Sequence, residues 1–260
     1  MARALSVLYW LLAGTIAIAI FPLALSVWAL TLAFDRRRVV LHALTNLWAS
    51  LYTWLNPVWR VQVRGREHIE RGRPYVMVSN HRSLVDIFVL HRLLRHFKWV
   101  SKAENFRIPC IGWNMRLNGY IPLRRGDRDS VLAMFEHARR VLDQRSSVLM
   151  FPEGTRSRTG ALKEFKPGAF EIAKQAGVAV LPIVVEGTFE ALRPRSLTIA
   201  SARMRVTVLP AVPREQVEAL SVEALSERVR GRIAEQLGES GELGESRESG
   251  EREGESSSVT

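Results

Sequence analysis

Cysteine is almost absent. Cys110 stands alone in 260 residues, which excludes an internal disulfide framework and a zinc site built on cysteine pairs. One free thiol fits a reducing compartment. Carboxylates are scarce as well: 26 Asp and Glu face 37 Lys and Arg, for a net charge of +11 and a pI near 10.7. That imbalance calls for an anionic partner, whether nucleic acid, an acidic membrane surface or a phosphorylated substrate. No internal repeat is present, so a solenoid is excluded. The length suffices for one sizeable domain or a smaller domain with appendages.

The absence of charge at the N-terminus decides among those partners. From Ala4 to Phe34 there is no Asp, Glu, Lys or Arg in 31 residues. About 20 apolar residues cross a bilayer core, so the run is long enough to span or to embed as a helix. It is too long for a signal-peptide core. Pro22 is a place for a kink, or for a shallow re-entrant pair of half-helices. Asp35-Arg36-Arg37-Arg38 follows, and the positive-inside rule assigns that end to the cytoplasm. Val39 to Trp59 also lacks Asp, Glu, Lys and Arg but mixes Trp48, Tyr52, Trp54 and Trp59 with Thr45, Asn46, Ser50, Thr53 and Asn56. Aromatic bodies with polar neighbours suit a headgroup region, which predicts an interfacial helix under the first. The organisation expected is a membrane segment over 1–59, an α/β domain over 60–237 and a tail over 238–260. The tail is Gly, Ser and Glu with seven Glu against two Arg, too polar to order itself; its −5 leaves +16 on the rest of the chain.

Between 60 and 237, short apolar runs alternate with helical periodicity, the signature of an α/β fold with a central, mostly parallel sheet flanked by helices. Strands are predicted at Arg60–Val63, Pro74–Ser79, Trp99–Ser101 and Tyr120–Leu123, and in the runs SVLMF, VAVLPIVVEG and RMRVTVLP. Helices are predicted over Ser83–Phe97 with Ser83 as cap, over Asn105–Leu117 with an interruption near Pro109 and Gly112, after a cap at Asp129, over Pro167–Gln175 and over Glu223–Gln236.

Three polar clusters fall just after strands: Asn80-His81, Arg124-Arg125 and Glu153-Gly154-Thr155-Arg156. In open α/β sheets ligands collect at the carboxyl ends of strands, so these loops are expected to converge. His81 and Asp86 have two readings. In one, the carboxylate fixes one ring nitrogen and leaves the other to take a proton. In the other, the histidine satisfies strand-end carbonyls and the aspartate faces a helix dipole. There is no G-x-S-x-G elbow, so a nucleophile would belong to the substrate. In the loop FPEGTRSRTG, Gly154 lets the backbone approach a ligand, Thr155 offers a hydroxyl, and Arg156 and Arg158 suit phosphate oxygens.

NHRSLVD and FPEGTRS, in that order, resemble the N-H-x-x-x-x-D and F-P-E-G-T-R-S motifs of the glycerolipid acyltransferases, and more narrowly of the bacterial 1-acylglycerol-3-phosphate acyltransferases. SKAENFRIPCIGWNMRLNGYIPLRR and VAVLPIVVEGT are similar to the segments between and after those motifs, so the resemblance runs from about Trp59 to Leu209. It implies that His81 is the general base toward the 2-hydroxyl of lysophosphatidic acid and that Asp86 orients it. It implies further that Arg156, Arg125 and Lys102 hold the substrate phosphate, with Glu153 and Gly154 lining the glycerol side and Thr155 a further substrate-binding residue. The acyl donor would be acyl-CoA or acyl-carrier protein, with no metal and no further cofactor. The location implied is the inner, cytoplasmic membrane with the domain facing the cytoplasm, on an anionic surface and without nucleic acid. Arg124 and Asn105 depart from the family pattern and bear on the acceptor. Another lysolipid acceptor, such as a lysophospholipid or lyso-ornithine lipid, and a non-catalytic lipid binder are the alternatives.

Overall fold

The computed structural model describes residues 2–238. The acidic stretch expected to be a tail lies, from 239 onward, outside the described residues. Two N-terminal helices, α1 (Ala2–Thr31) and α2 (Val39–Trp54), precede the sheet. Seven strands follow: β1 (Trp59–Arg64), β2 (Tyr75–Ser79), β3 (Phe97–Lys102), β4 (Ile121–Leu123), β5 (Ser147–Met150), β6 (Ala179–Glu186) and β7 (Ala202–Val208). Between and after them lie α3 (Val85–His91), α4 (Ile111–Leu117), α5 (Arg128–Asp143), α6 (Gly168–Ala176), α7 (Thr188–Ala191), α8 (Arg214–Ala219) and α9, over 222–238.

Strand order is β1-β7-β6-β2-β5-β3-β4, and every pairing is parallel except β6 with β7. The sheet alternates its cores by the pleat. Tyr75, Met77, Leu149 and Leu181 point to one face, where α3 brings Val85, Val89 and Leu90. Val76, Val78, Val148 and Val180 point to the other, against Ala138 and Leu142 of α5, Phe170 of α6 and Val229 and Ile233 of α9. Both faces of β2 and β6 are covered, which is why those strands read as unbroken apolar runs.

The predicted strands and helices are present, with displaced ends. The helix expected over Ser83–Phe97 stops at His91, because Leu94 adopts φ 53° and Phe97 is drawn into β3, paired with Ser147 of β5. Asp127, rather than Asp129, caps α5: its carboxylate accepts from the Ser130 N–H at 3.0 Å, and Asp129 lies inside the first turn. The span 105–117 divides as expected, into a 3-10 turn at Ala103–Arg107 and α4.

The N-terminal helices differ more from expectation. Helix α1 continues unbroken through Pro22, so the re-entrant pair does not form. The polar positions of α2 do not face headgroups. They are buried against the domain, where Asn114 and Asn118 amides donate to Thr45 Oγ1 at 3.1 and 3.0 Å. His91 donates from Nδ1 to Asn46 Oδ1 at 2.7 Å, and Arg92 donates to Thr53 Oγ1 at 3.1 Å. A helix that looks interfacial by composition is thus a seam between α1 and the sheet domain. The apolar surface belongs to α1, where Leu8, Leu11, Ile18 and Leu30 are 63, 65, 69 and 78 % exposed.

Both ends of α1 are tied to that same domain. At one end Trp10 Nε1 donates to the Leu197 carbonyl at 2.8 Å, and Ser6 Oγ accepts from the Ile199 N–H at 3.0 Å. Just beyond the other end the Arg37 guanidinium donates to the Arg145 carbonyl at 2.5 Å and to Ser146 Oγ at 3.3 Å. A 30-residue helix is roughly 45 Å long, so it runs along the domain rather than away from it.

The cap of α5 gives a direct check. Asp127→Ala should lower stability by about 1 kcal/mol, while Asp129→Ala should stay within about 0.5 kcal/mol of the parent. Urea unfolding of the detergent-solubilised protein, followed by circular dichroism, reads both.

Candidate active site

Strands β2, β6, β5, β3 and β4 share one direction, so their carboxyl ends open on one edge of the sheet. At the end of β2, Asn80 is fully buried and bonds both ways to β6: its amide donates to the Val185 carbonyl at 2.7 Å, and the Val185 N–H donates to its Oδ1 at 2.8 Å. This side chain continues the ladder where the backbone leaves it. It delivers the next residue, His81, at a defined place.

His81 Nδ1 lies 2.7 Å from Asp86 Oδ2. Asp86 is 0 % exposed, and a lone carboxylate there would be costly. It is surrounded by donors. Oδ2 also accepts from the Arg82 and Ser83 N–H groups at 2.7 and 2.8 Å, and Oδ1 accepts from the Thr188 hydroxyl. Both oxygens accept from these groups, and the one facing the ring accepts the His81 proton from Nδ1. That tautomer leaves Nε2 as the basic nitrogen of the ring. Ser83 completes the turn: its hydroxyl donates to the Leu192 carbonyl at 2.6 Å and accepts from the Val85 N–H at 3.2 Å. The N-cap of α3 is Leu84 rather than the expected Ser83, whose hydroxyl is spent one residue earlier within the turn.

The ring has a fixed floor. His81 stacks on Phe151, centroids 3.8 Å apart and planes 6° from parallel, and Phe151 rests on Trp99 at 5.4 Å. Trp99 Nε1 donates in turn to His91 Nε2 at 3.1 Å, and the other nitrogen of His91 donates to Asn46 of α2. Burial pushes His91 down to about 3, so it serves as a neutral connector. An unbroken series of contacts therefore joins the α1–α2 layer to the imidazole.

The loop after β5 closes over the same residue. The His81 N–H donates to Glu153 Oε1 at 2.7 Å, and the Ser157 N–H donates to the His81 carbonyl at 2.8 Å. Glu153 Oε2 accepts from the Lys163 N–H at 3.2 Å, and Glu153 is only 3 % exposed. Glu153 therefore faces the backbone of its neighbours. Burial raises its pKa, opposed by the His81 and Lys163 N–H groups. Gly154 has φ 73°, and an added Cβ there would come within 3.1 Å of Lys166 Cε. Thr155 Oγ1 accepts from Lys163 Nζ at 2.7 Å.

Arg156 is exposed and, with Thr155, Arg158, Pro194 and Arg195, lines an open cleft of about 370 Å³. Arg195, held at φ 66°, enters from the loop after α7, beyond the loops singled out in the sequence. Lys102 and Arg125 sit at the ends of β3 and β4 on the same edge of the sheet. Neither lines that cleft: Lys102 lies 3.4 Å from Glu104, and Arg125 is exposed. Arg124 turns back to Asp127 at 3.6 Å. Phe151, Thr188 and Lys163 had no assigned role in the sequence, although Phe151 and Thr188 lie within quoted motifs. Gly187 makes Thr188 possible: at φ 76° its Cα passes so close to β7 that a Cβ would meet the Arg203 carbonyl at 2.0 Å. Among the described residues no cluster of His, Cys, Asp and Glu is arranged to hold a metal.

The raised pKa of Glu153 predicts a sign. The folded state holds this proton more tightly than the unfolded chain, so stability falls as pH rises from the ordinary carboxylate value of 4.5 through the raised one. Glu153→Gln keeps an acceptor for His81 and removes the charge. The difference in unfolding midpoint, variant minus parent, should increase across that window and then level off. A flat difference from pH 4 to 8 would contradict the assignment of burial as the main cause.

Residues 60–186 match the family model described as Acyltransferase. A 1-acyl-sn-glycerol-3-phosphate acyltransferase of Chlamydomonas reinhardtii is 45 % identical over 161 residues, which is 61 % of this chain and 48 % of that protein. The chloroplastic enzyme of the same name from Arabidopsis thaliana is 37 % identical over 209 residues, 79 % of this chain and 57 % of that one. The human alpha enzyme is 36 % identical over 173 residues, 66 % of this chain and 61 % of that one. The chain spans about half the length of the first two curated relatives. The crystal structure of the 1-acyl-sn-glycerophosphate acyltransferase PlsC from Thermotoga maritima superposes with a TM-score of 0.75 at 23 % identity, over 92 % of this chain and 97 % of that one, and so shares the fold. With its motifs, its sheet and these likenesses in agreement, residues 60–186 form a domain of the acyltransferase family, similar in sequence to the 1-acyl-sn-glycerol-3-phosphate acyltransferases.

Proposed function

We propose that the chain transfers a fatty acyl group from acyl-CoA or acyl-carrier protein to the 2-hydroxyl of lysophosphatidic acid, giving phosphatidic acid. The observation that carries this reading is the imidazole of His81, fixed by a buried and fully bonded Asp86 beside a cleft lined by arginines. The domain so described is read as 60–237, with 1–59 as its membrane segment.

In this reading His81 Nε2 takes the proton of the 2-hydroxyl as the oxygen bonds to the thioester carbonyl carbon. Asp86 stabilises the imidazolium so formed, at a distance of 2.7 Å. The carbon–sulfur bond then breaks, and the imidazolium returns the proton to the departing thiolate. Phosphatidic acid and a free thiol leave. The chain's own groups supply the base and the binding, and the thioester supplies the activation, so the step calls for no metal. Arg156 of the cleft binds the substrate phosphate by forked donors, with Arg125 and Lys102 at the rim of the same sheet edge. Glu153 acts through the backbone, by holding His81 in place.

The reading also assigns a membrane geometry. Tied at both ends to one domain, α1 is proposed to lie in the interface rather than across the bilayer, with its apolar face inward. Each Leu or Ile moved from water into hydrocarbon contributes roughly 1.5–3 kcal/mol, so the exposed side of α1 holds the domain firmly. The cationic body then faces an anionic leaflet, which is read as the cytoplasmic one.

Acyl transfer by the detergent-purified chain tests the reading. Lysophosphatidic acid, a neutral lysophospholipid and lyso-ornithine lipid serve as acceptors, with CoA and carrier-protein donors. His81→Ala should reduce turnover on lysophosphatidic acid by about 10²- to 10⁴-fold at unchanged lipid binding. Thr188→Val, which strips one donor from Asp86, should lower kcat by about tenfold with little change in KM. Turnover on another acceptor alone would place the selectivity with Arg124 and Asn105. No turnover in a folded sample would sink the enzyme. A thiol at Ala2→Cys should react with impermeant reagents from the same side as the domain.

A further inference from the structure

A second basic cleft lies at the opposite edge of the sheet, where β3, β4 and β5 begin. It encloses about 420 Å³ and is lined by Arg36, Arg37, Arg38, Lys98, Arg116 and His137, with Trp28 on one wall. Nothing in the reaction uses it. The carboxylate facing it is Asp35, and both of its oxygens are spent capping α2, accepting from Val39 and Val40 N–H groups at 2.9 and 2.8 Å. Arg37 is anchored on Arg145 and Ser146, and Arg38 lies 5.9 Å over the Trp28 ring. Arg36 and Arg116 are exposed and have no carboxylate partner among the described residues.

Lys98 is the unusual member. It is 4 % exposed, yet among the described residues its ammonium is bonded to one group only, the carbonyl of Asn118. An ammonium carries three donors, so two are left without a protein acceptor. Burial pushes Lys98 down to about 7, and Arg38 and Arg37 add to that fall against the opposing Asp35. Crowding cations with so little counter-charge is unfavourable for an empty cleft and becomes favourable when an anion enters. The partial negative charge at the end of α1 is worth about half a unit, too little to offset this many cations.

We propose that this cleft is a second anion site that takes the phosphate group of an anionic phospholipid, apart from the reacting pocket. The flanking surface identifies the source of the phosphate. Phe34 and Val40 are 73 and 47 % exposed on either side of the arginines, so apolar groups and cations share one ridge at the end of the membrane helix. The choice of a lipid rests on the interfacial reading of α1, whereas the anion site itself does not. Occupancy would hold this end of the domain against the leaflet while the reacting edge, at the far end of the same strands, exchanges its substrates.

The test is titration calorimetry on the full chain in neutral detergent, with three probes: monomeric dihexanoyl-phosphatidylglycerol, dihexanoyl-phosphatidylcholine and inorganic phosphate. The parent should bind the phosphatidylglycerol and not the phosphatidylcholine. Arg36→Gln combined with Arg116→Gln should weaken that binding about twenty-fivefold, at roughly fivefold for each arginine, and leave the thermal midpoint and acyl transfer in detergent unchanged. Arg156→Gln should leave this binding in place, which separates the cleft from the reacting pocket. Inorganic phosphate binding as tightly as the lipid, and lost in the same double variant, would retain the anion site and overturn the lipid as its ligand. Equal binding by parent and double variant would overturn the proposal whether or not the chain transfers acyl groups.

Discussion

The buried negative charge of Asp86 is the constraint on which the rest of the site depends. With no exposure, the carboxylate requires donors, and the structure brings them from three places: the backbone at Arg82 and Ser83, the His81 ring and the Thr188 hydroxyl. The first two are local, supplied by the tight turn out of β2. The last comes from a residue 102 positions away and exists only because β6 lies beside β2. The sheet thus assembles the charge environment of one carboxylate, and that carboxylate sets the tautomer of one imidazole.

Around this pair, the other conspicuous residues act mainly as supports. Asn80 ties the strand end to β6, Phe151 and Trp99 form a floor for the ring, and Glu153 bonds the loop after β5 to the His81 backbone. A polar residue within a motif is easily read as touching substrate. Here one of the most conspicuous, Glu153, is turned to main-chain N–H groups, and burial raises its pKa. Arg156 and Arg158, by contrast, are exposed and line the neighbouring cleft.

The N-terminal helices connect this edge of the sheet to its opposite edge. Helix α1 is held near Leu197 and Ile199 at one end and near Arg145 at the other, while α2 fills the seam with buried hydrogen bonds to α3 and α4. Basic clefts lie toward both edges, one beside His81 and one beneath Arg36–Arg38. One apolar helix thus runs between the edge that carries His81 and the edge that carries the second basic cleft.

What could be read from the sequence was whatever rests on local periodicity or contiguous motif. The alternating apolar runs determined an α/β domain, the 31 uncharged residues determined a long apolar helix, and NHRSLVD with FPEGTRS determined the family and the His81–Asp86 pair, five residues apart and within reach across one turn. Tertiary structure alone decided the donor from Thr188, the stacking of Phe151, the inward turn of Glu153 and the burial of α2's polar face. It also decided that α1 lies along the domain and that Arg36 and Arg116 share a cleft. Each of these joins residues distant in the chain through sheet order or helix packing. Such contacts leave no local pattern in the sequence, because the energy that selects them is burial across elements, realised only when the elements meet.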